Sequence, residues 1–201
     1  MTEMTFAQAL ALGLTECLDA DPRVTLINSS YGGLTSYRTT FNVLREKYAD
    51  RITDTPISEL GYCGIAVGAA MTGLRPIVAL STAAFSFEAW PQIVNEAPNI
   101  FYMSDGQVKV PLMFHALVGI RLMGAAQHSA RPQAMLMQAA GLQIIAPALA
   151  SDVKPLLQAA KDSQRPTFWV DHALLFEEPL SRANAANPPP LTLRRSASMP
   201  R

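Results

Sequence analysis

Ser58-Glu-Leu-Gly-Tyr-Cys-Gly-Ile-Ala-Val-Gly-Ala-Ala-Met-Thr-Gly-Leu-Arg-Pro-Ile-Val-Ala-Leu80 decides the fold of this chain. Ser58 is an acceptable N-cap, Glu59 through Thr72 reads as a helix, Gly73 stops it, and Pro76 to Leu80 is an apolar strand. Gly61, Gly64 and Gly68 recur at spacings of three and four. They leave a stripe without side chains where another element can approach closely. A helix running straight into a short, wholly apolar strand is the unit of a sheet covered on both faces.

The same alternation extends outward from this unit. Upstream, Phe6, Leu10, Leu14 and Cys17–Leu18 recur at helical spacing, so residues 5–20 read as an amphipathic helix ended by Asp19 to Pro22. Val24 to Ile27 is a short buried strand, followed by a polar, Gly-rich loop over 28–36. Phe41 to Tyr48 is a second helix, and Ile52 opens an extended stretch that Pro56 keeps out of helical geometry. Downstream, Phe87 to Ala97 reads as one helix, Val110 to Phe114 as a strand that His115 closes, and Ala134 to Ala140 as a helix. Leu142 to Ala146 is a strand, Ser151 to Lys161 a helix with Ser151 as N-cap, and Thr167 to Val170 the last strand. Alternating short strands and helices predict an α/β three-layer sandwich around a mostly parallel sheet.

Composition narrows the function classes. The chain has 201 residues, 49% apolar and 16% charged, with 16 Lys+Arg against 16 Asp+Glu. Disorder, a collagen-like repeat and a disulfide scaffold are excluded, and no basic face for nucleic acid is implied. The low charge predicts a surface covered by a partner. Cys17 and Cys63 stand in unrelated contexts without metal-ligand spacing, which fits a reducing cytoplasm. The N-terminus lacks a signal-peptide layout, and the longest apolar run, Ile65 to Met71, is broken by Gly68, so no membrane span is expected. Residues 179–201 hold Pro188 to Pro190 and Arg182, Arg194, Arg195 and Arg201; they read as a Pro- and Arg-containing tail outside the folded unit at 4–178.

In an open parallel sheet, ligands bind beyond the carboxyl ends of the strands. The loops 55–59, 82–88 and 124–131 are therefore the places for chemistry. Glu59 precedes a Gly-rich apolar helix, where a carboxyl tends to stay neutral or share a proton; a helix N-terminal acid favoured by the dipole has the same sequence. His128, in Ala-Ala-Gln-His-Ser, is an acid–base candidate or an exposed loop histidine. His115 and His172 read as structural. Ser58 and Ser129 lack a triad partner order, and no phosphate-cradling loop is present.

Asp54-Thr-Pro-Ile-Ser-Glu59, Gly61 and Gly64-Ile-Ala-Val-Gly-Ala-Ala-Met-Thr-Gly-Leu-Arg-Pro76 resemble a signature of the transketolase-like pyrimidine-binding modules of thiamine-diphosphate enzymes. The similarity is greatest to the beta subunits of 2-oxo-acid and acetoin dehydrogenases. Tyr102-Met-Ser104, Gly106, Val110-Pro111, Ala126-Gln-His-Ser129, Gly141-Leu142, Ala146-Pro147 and His172-Ala-Leu-Leu175 follow in the same order. The resemblance implies that Glu59 hydrogen-bonds the ring nitrogen of the cofactor's aminopyrimidine and favours its imino tautomer. It further implies that Phe85 stacks on that ring, that Glu88 occupies a cofactor-side position where a Gln is usual, and that His128 stands beside the reacting carbon. Diphosphate and Mg2+ are implied on an alpha-type partner, in a heterotetramer with a beta–beta contact. Decarboxylation of a 2-oxo acid with acyl or two-carbon transfer is the implied reaction. A biosynthetic carboligase subunit and a truncated, non-catalytic interaction partner are the alternatives.

Four departures from the family pattern stand out. Two acids usual after the first strand are here Asn28-Ser29-Ser30, which questions proton communication between paired sites. An Arg-Gly-Pro-Asn-Gly run is replaced by His115-Ala-Leu-Val-Gly119. The potassium-binding segment near Ala160 has Ser163 in place of its Asp, so no metal is expected. A second domain that usually follows is not in this sequence.

Overall fold

A computed structural model describes residues 4–28, 38–119 and 125–176, apart from the side chains of residues 38–40 and 43. Ser29, Ser30, Gly124 and the tail at 179–201 lie outside the described residues. Six strands form one sheet: β1 (Val24–Ile27), β2 (Ile52–Thr53), β3 (Arg75–Thr82), β4 (Met113–Val118), β5 (Gln143–Ile145) and β6 (Thr167–His172). Their order is β2-β1-β3-β4-β6-β5 and every pairing is parallel. The helices are α1 (Phe6–Ala20), α2 (Arg38–Lys47), α3 (Glu59–Met71), α4 (Ala97–Met103), α5 (Gln133–Leu136) and α6 (Ala150–Asp162).

The two faces of the sheet carry separate cores. Phe6, Leu10, Leu14, Leu18, Leu26, Leu157 and Trp169 fill the face under α1, α2 and α6. Tyr62, Cys63, Val67, Val78, Leu80, Ile93, Phe114 and Phe168 fill the other, under α3, α4 and α5. The predicted three-layer α/β architecture is the one observed. Among the described residues no helix is long and apolar enough to cross a membrane.

Local departures from the sequence reading have identifiable causes. Thr5, read as the first residue of the helix, is instead the N-cap of α1 and closes a reciprocal box with Gln8. The stretch 87–97 is not one helix. Pro98 has no N–H to offer the preceding turn, and Gln92–Glu96 widens into a π-turn in which Ala97 N–H reaches Gln92 O before α4 begins. Ser151 does not cap α6; Leu149 occupies that position and Ser151 lies inside the helix. Strand β4 starts later and runs further than the apolar run predicts. It passes through His115 because that ring meets Asp171 Oδ2 at 2.5 Å, while Trp169 Nε1 donates to Asp171 Oδ1 at 2.6 Å. A buried imidazole is tolerated mid-strand when its polar atoms are satisfied.

Candidate cofactor-binding edge

The carboxyl ends of β1, β2, β3 and β4 form one edge of the sheet, and the predicted residues lie on the segments that leave it. After β2, Thr55 to Ser58 leads into α3, whose first residue is the partly buried Glu59. The carboxyl therefore stands at the positive end of the helix dipole. Ser58 adopts an extended conformation but its hydroxyl makes no capping bond. Instead its carbonyl receives Tyr62 N–H at 2.9 Å, and its Oγ sits 2.9 Å from where a Cβ on Gly61 would be. Asp54 pairs with Arg45 across from α2. Ile57 is 93% exposed at the tip of the loop.

After β3 the chain is bent by a register shift between Ala79 and Thr82, where Ser81 takes a φ of +61°. Thr82 then serves both sides of the bend. Its Oγ1 accepts Ala84 N–H at 3.0 Å and donates to His128 O at 3.0 Å. That bond ties the one-turn helix Ala83–Phe87 to the one-turn helix Ala126–His128. The rings of Phe85 and His128 consequently meet edge-on, with centroids 5.0 Å apart and planes at 66°. Ala125, at φ +44°, turns the chain into the His128 segment.

The structure thus brings Phe85 and His128 into contact and places Glu59 at the start of α3, on the same edge. Glu88 closes the Phe85 turn through its N–H to Phe85 O at 3.1 Å, and its side chain is exposed. His115 belongs to the buried pair inside the sheet. His172 ends β6, caps the next turn through Nδ1 and covers Gly119, so both read as structural in fact.

Three groups at this edge carry more than the sequence reading gave them: Asn28, named there only as a departure from the family's acids, and Tyr62 and Thr55, which were not singled out. Asn28 has a φ of +53° at the end of β1, a conformation that Asn adopts more readily than most side chains. Its N–H reaches Thr53 O at 2.9 Å and its Nδ2 reaches Ala79 O at 2.9 Å, so it knits β1 to both neighbours. Tyr62 is a buried phenol one turn beyond Glu59; burial pushes its hydroxyl well above the ordinary range, and the Glu59 charge adds to this. Thr55 Oγ1 is buried without a hydrogen-bond partner. A polar aromatic in an otherwise small, apolar helix was the available signal for Tyr62.

An acid at a helix start, an orphaned hydroxyl four residues before it and an aromatic ring presented beside a histidine suit a flat, polar heteroaromatic ligand. Elsewhere, in the segment where Ser163 stands in place of the family's Asp, the carbonyls of Lys161 and Ser163 accept Arg75 Nη1 at 2.5 and 2.9 Å. Among the described residues no group of three or more His, Cys, Asp and Glu side chains could hold a metal ion.

The sheet is an open, parallel α/β module whose strand-end segments gather Glu59, Phe85 and His128 at one edge. The chain belongs to the transketolase pyrimidine-binding domain family, which it matches over residues 2–175. It is 38% identical over 179 residues to the pyruvate dehydrogenase E1 component subunit beta of Rhizobium meliloti (strain 1021), covering 88% of this chain and 38% of that one. To the mitochondrial subunit beta-1 of Arabidopsis thaliana it is 37% identical over 177 residues, 88% of this chain and 49% of that one. To the Bos taurus mitochondrial subunit beta it is 36% identical over 188 residues, 92% and 52%. The chain therefore spans about half the length, or less, of these curated relatives. In fold it is similar to a solved split-gene transketolase described as an inactive beta4 tetramer. The TM-score is 0.66 at 20% identity, over 85% of this chain and 52% of that one.

Proposed function

We propose that this chain provides the aminopyrimidine-binding half of a thiamine-diphosphate site in a split 2-oxo-acid dehydrogenase, with residues 4–178 as the binding module. The observation that carries the reading is the Phe85–His128 ring contact on the edge where α3 presents Glu59. Thiamine diphosphate supplies, when bound, a carbon nucleophile and an electron sink for decarboxylating a 2-oxo acid. Glu59 would hold a proton at a pyrimidine ring nitrogen, and Thr55 would offer a second polar contact. Phe85 would support the ring face, with Glu88 at its far end. His128, held through its own carbonyl by Thr82, would hold or move a proton beside the reacting carbon.

Diphosphate and Mg2+ would be held by an alpha-type partner, and the chain would turn over substrate only with that partner, in a heterotetramer with a beta–beta contact. Support comes from the beta-subunit relatives and from the exposed apolar residues of α3, among them Leu60, Ile65 and Met71. The two buried free cysteines fit a reducing compartment such as the cytoplasm. The test is co-expression with an alpha-type subunit, followed by calorimetric titration with thiamine diphosphate and assay of 2-oxo-acid turnover. Glu59→Gln should cost turnover about a hundredfold or more. Unchanged turnover in that variant would remove Glu59 from the chemistry, and transfer to a sugar aldehyde in place of a lipoyl acceptor would favour the carboligase alternative.

A further inference from the structure

We infer that Thr82 is the positioning residue of this edge: its single hydroxyl sets Phe85 and His128 against each other, so that ring support and proton placement depend on one group. The inference rests on the roles proposed above for Phe85 and His128 and concerns how they are coupled in this chain. Thr82 ends β3 and is 2% exposed, so water does not compete for its hydroxyl. That hydroxyl is used twice. It accepts Ala84 N–H, which fixes the backbone immediately before Phe85, and it donates to the carbonyl of His128 itself, each at 3.0 Å. A hydroxyl has one proton to donate, and here it is committed to His128.

The backbone on both sides explains why a tie is needed. Ser81, directly before Thr82, has a φ of +61°, and Ala125, directly before the one-turn helix Ala126–His128, has a φ of +44°. L side chains rarely adopt such conformations, which persist only where the surrounding structure holds them. Both segments thus approach the ring contact through strained residues. Ser129 Oγ donates to Ala125 O at 2.5 Å within one segment, whereas the Thr82–His128 bond spans 46 positions and joins the two. The second hydroxyl of the Phe85 turn offers a contrast. Ser86 is fully buried and its Oγ has no hydrogen-bond partner, so burying a hydroxyl in this turn is not enough to make the tie.

Positioning of this kind has a kinetic signature. Loss of the Thr82 hydroxyl would displace His128 without removing it, and a displacement of about 1 Å can cost about a hundredfold in rate. Because Thr82 acts through His128, its loss should cost little more once the imidazole is gone.

The test starts with the imidazole carbon–proton NMR signals of the 201-residue chain, whose 3 histidines let the His128 signal be assigned by its loss in His128→Ala. Phe85→Leu gives the size of the ring-current shift that Phe85 imposes on that signal. Thr82→Val keeps the branched shape and removes the hydroxyl. It should lose about half of the shift or more, while Thr82→Ser and Ser86→Ala keep it. Thr82→Ala removes the same hydroxyl and takes the place of the Val variant if that one does not fold. With the alpha-type partner and thiamine diphosphate, Thr82→Val should lower kcat about tenfold to a hundredfold, with KM for the 2-oxo acid within about threefold of wild type. Adding Thr82→Val to His128→Ala should cost less than about threefold more. The inference is overturned if a folded hydroxyl-free variant keeps the His128 shift, if Thr82→Ser or Ser86→Ala removes it equally, or if the Thr82 and His128 losses in kcat multiply. Failure of the cofactor reading is separate: Glu59→Gln would then leave thiamine-diphosphate binding and turnover undiminished, and the NMR signals still decide whether Thr82 positions His128.

Discussion

On the face of the sheet built from α1, α2 and α6, apolar side chains are covered and charges are matched. Lys154 pairs with Glu16 between α6 and α1, Lys47 with Asp19, and Arg23 and Arg75 with Asp21. On the face built from α3, α4 and α5, Ile65 is 60% exposed, Tyr102 74% and Met103 77%, and Leu60, Met71, Phe101, Met135 and Met137 stand out with them. Every ion pair among the described residues lies on the first face, at its margins or, for His115–Asp171, in the core beneath it. A chain with equal numbers of acids and bases has thus spent its matched charges on one side. Exposed apolar patches of this kind mark surfaces covered by other chains. The finished face keeps the module folded, and the unfinished one leaves its apolar residues open beside the edge that carries Glu59, Phe85 and His128.

The largest expected break is on the finished side. His115→Ala would leave Asp171, which is fully buried, with Trp169 Nε1 as its remaining side-chain partner among the described residues. Breaking a buried pair by removing one member costs about 3–5 kcal/mol. Urea unfolding of the chain alone should show that loss. Ile65→Asp tests the other side. Its position is exposed, so the urea midpoint should stay put, while association with an alpha-type partner weakens about tenfold to a hundredfold, read by calorimetry or analytical centrifugation. If Ile65→Asp binds the partner normally, the α3 face is not the docking surface.

Acid should also act on the finished face. A hydrogen bond from the Arg23 side chain, together with the Arg23 N–H and the Arg75 charge, holds the Asp21 carboxyl at about 2 against an ordinary 3.8. A carboxyl depressed on folding stabilises the native state above its unfolded value, and that contribution disappears as pH falls through the folded one. Because Arg23 is half exposed and water screens the pair, about 1 kcal/mol is a reasonable size for the effect. Stability measured between pH 4 and pH 2 should therefore fall more steeply in wild type than in Asp21→Asn.

The same contrast explains what could be read from the sequence. The apolar run Pro76 to Leu80 and the 3.6-residue pattern of Phe6, Leu10 and Leu14 are local signals, and the elements follow them. Glu59 stood out as an acid opening a Gly-rich helix, but that pattern also fits a dipole-favoured N-terminal acid, and only the family resemblance suggested a role for it. The continuation of β4 through His115 was not legible, because Asp171 lies 56 positions away and only folding supplies it. Nor could the meeting of Phe85 with His128 be derived locally, since it depends on a bulge at Ser81 and on Thr82 reaching a carbonyl 46 positions away. The one-helix reading of 87–97 failed at Pro98, a breaker whose effect appears one turn before it.

Two glycines give the most direct test of the contrast. Gly13 lies where α1 meets α6, and a Cβ there would stand 2.6 Å from Leu157 Cδ1 and 3.6 Å from Lys154 Cγ. Leu157 is itself buried, so it cannot swing clear without disturbing the core. Gly13→Ala should lower stability by about 1–3 kcal/mol, the usual cost of overpacking, offset in part by the better helix propensity of Ala. Gly68 lies in α3, and a Cβ there would meet nothing within 4 Å. Gly68→Ala should raise the urea stability of the isolated chain by about 0.5–1 kcal/mol. If another chain approaches the glycine stripe closely, the same methyl should weaken that association. A variant that is more stable alone yet binds its partner less well would show that the stripe serves the interface. A variant that gains stability without losing affinity would assign the close contact to another part of the open face.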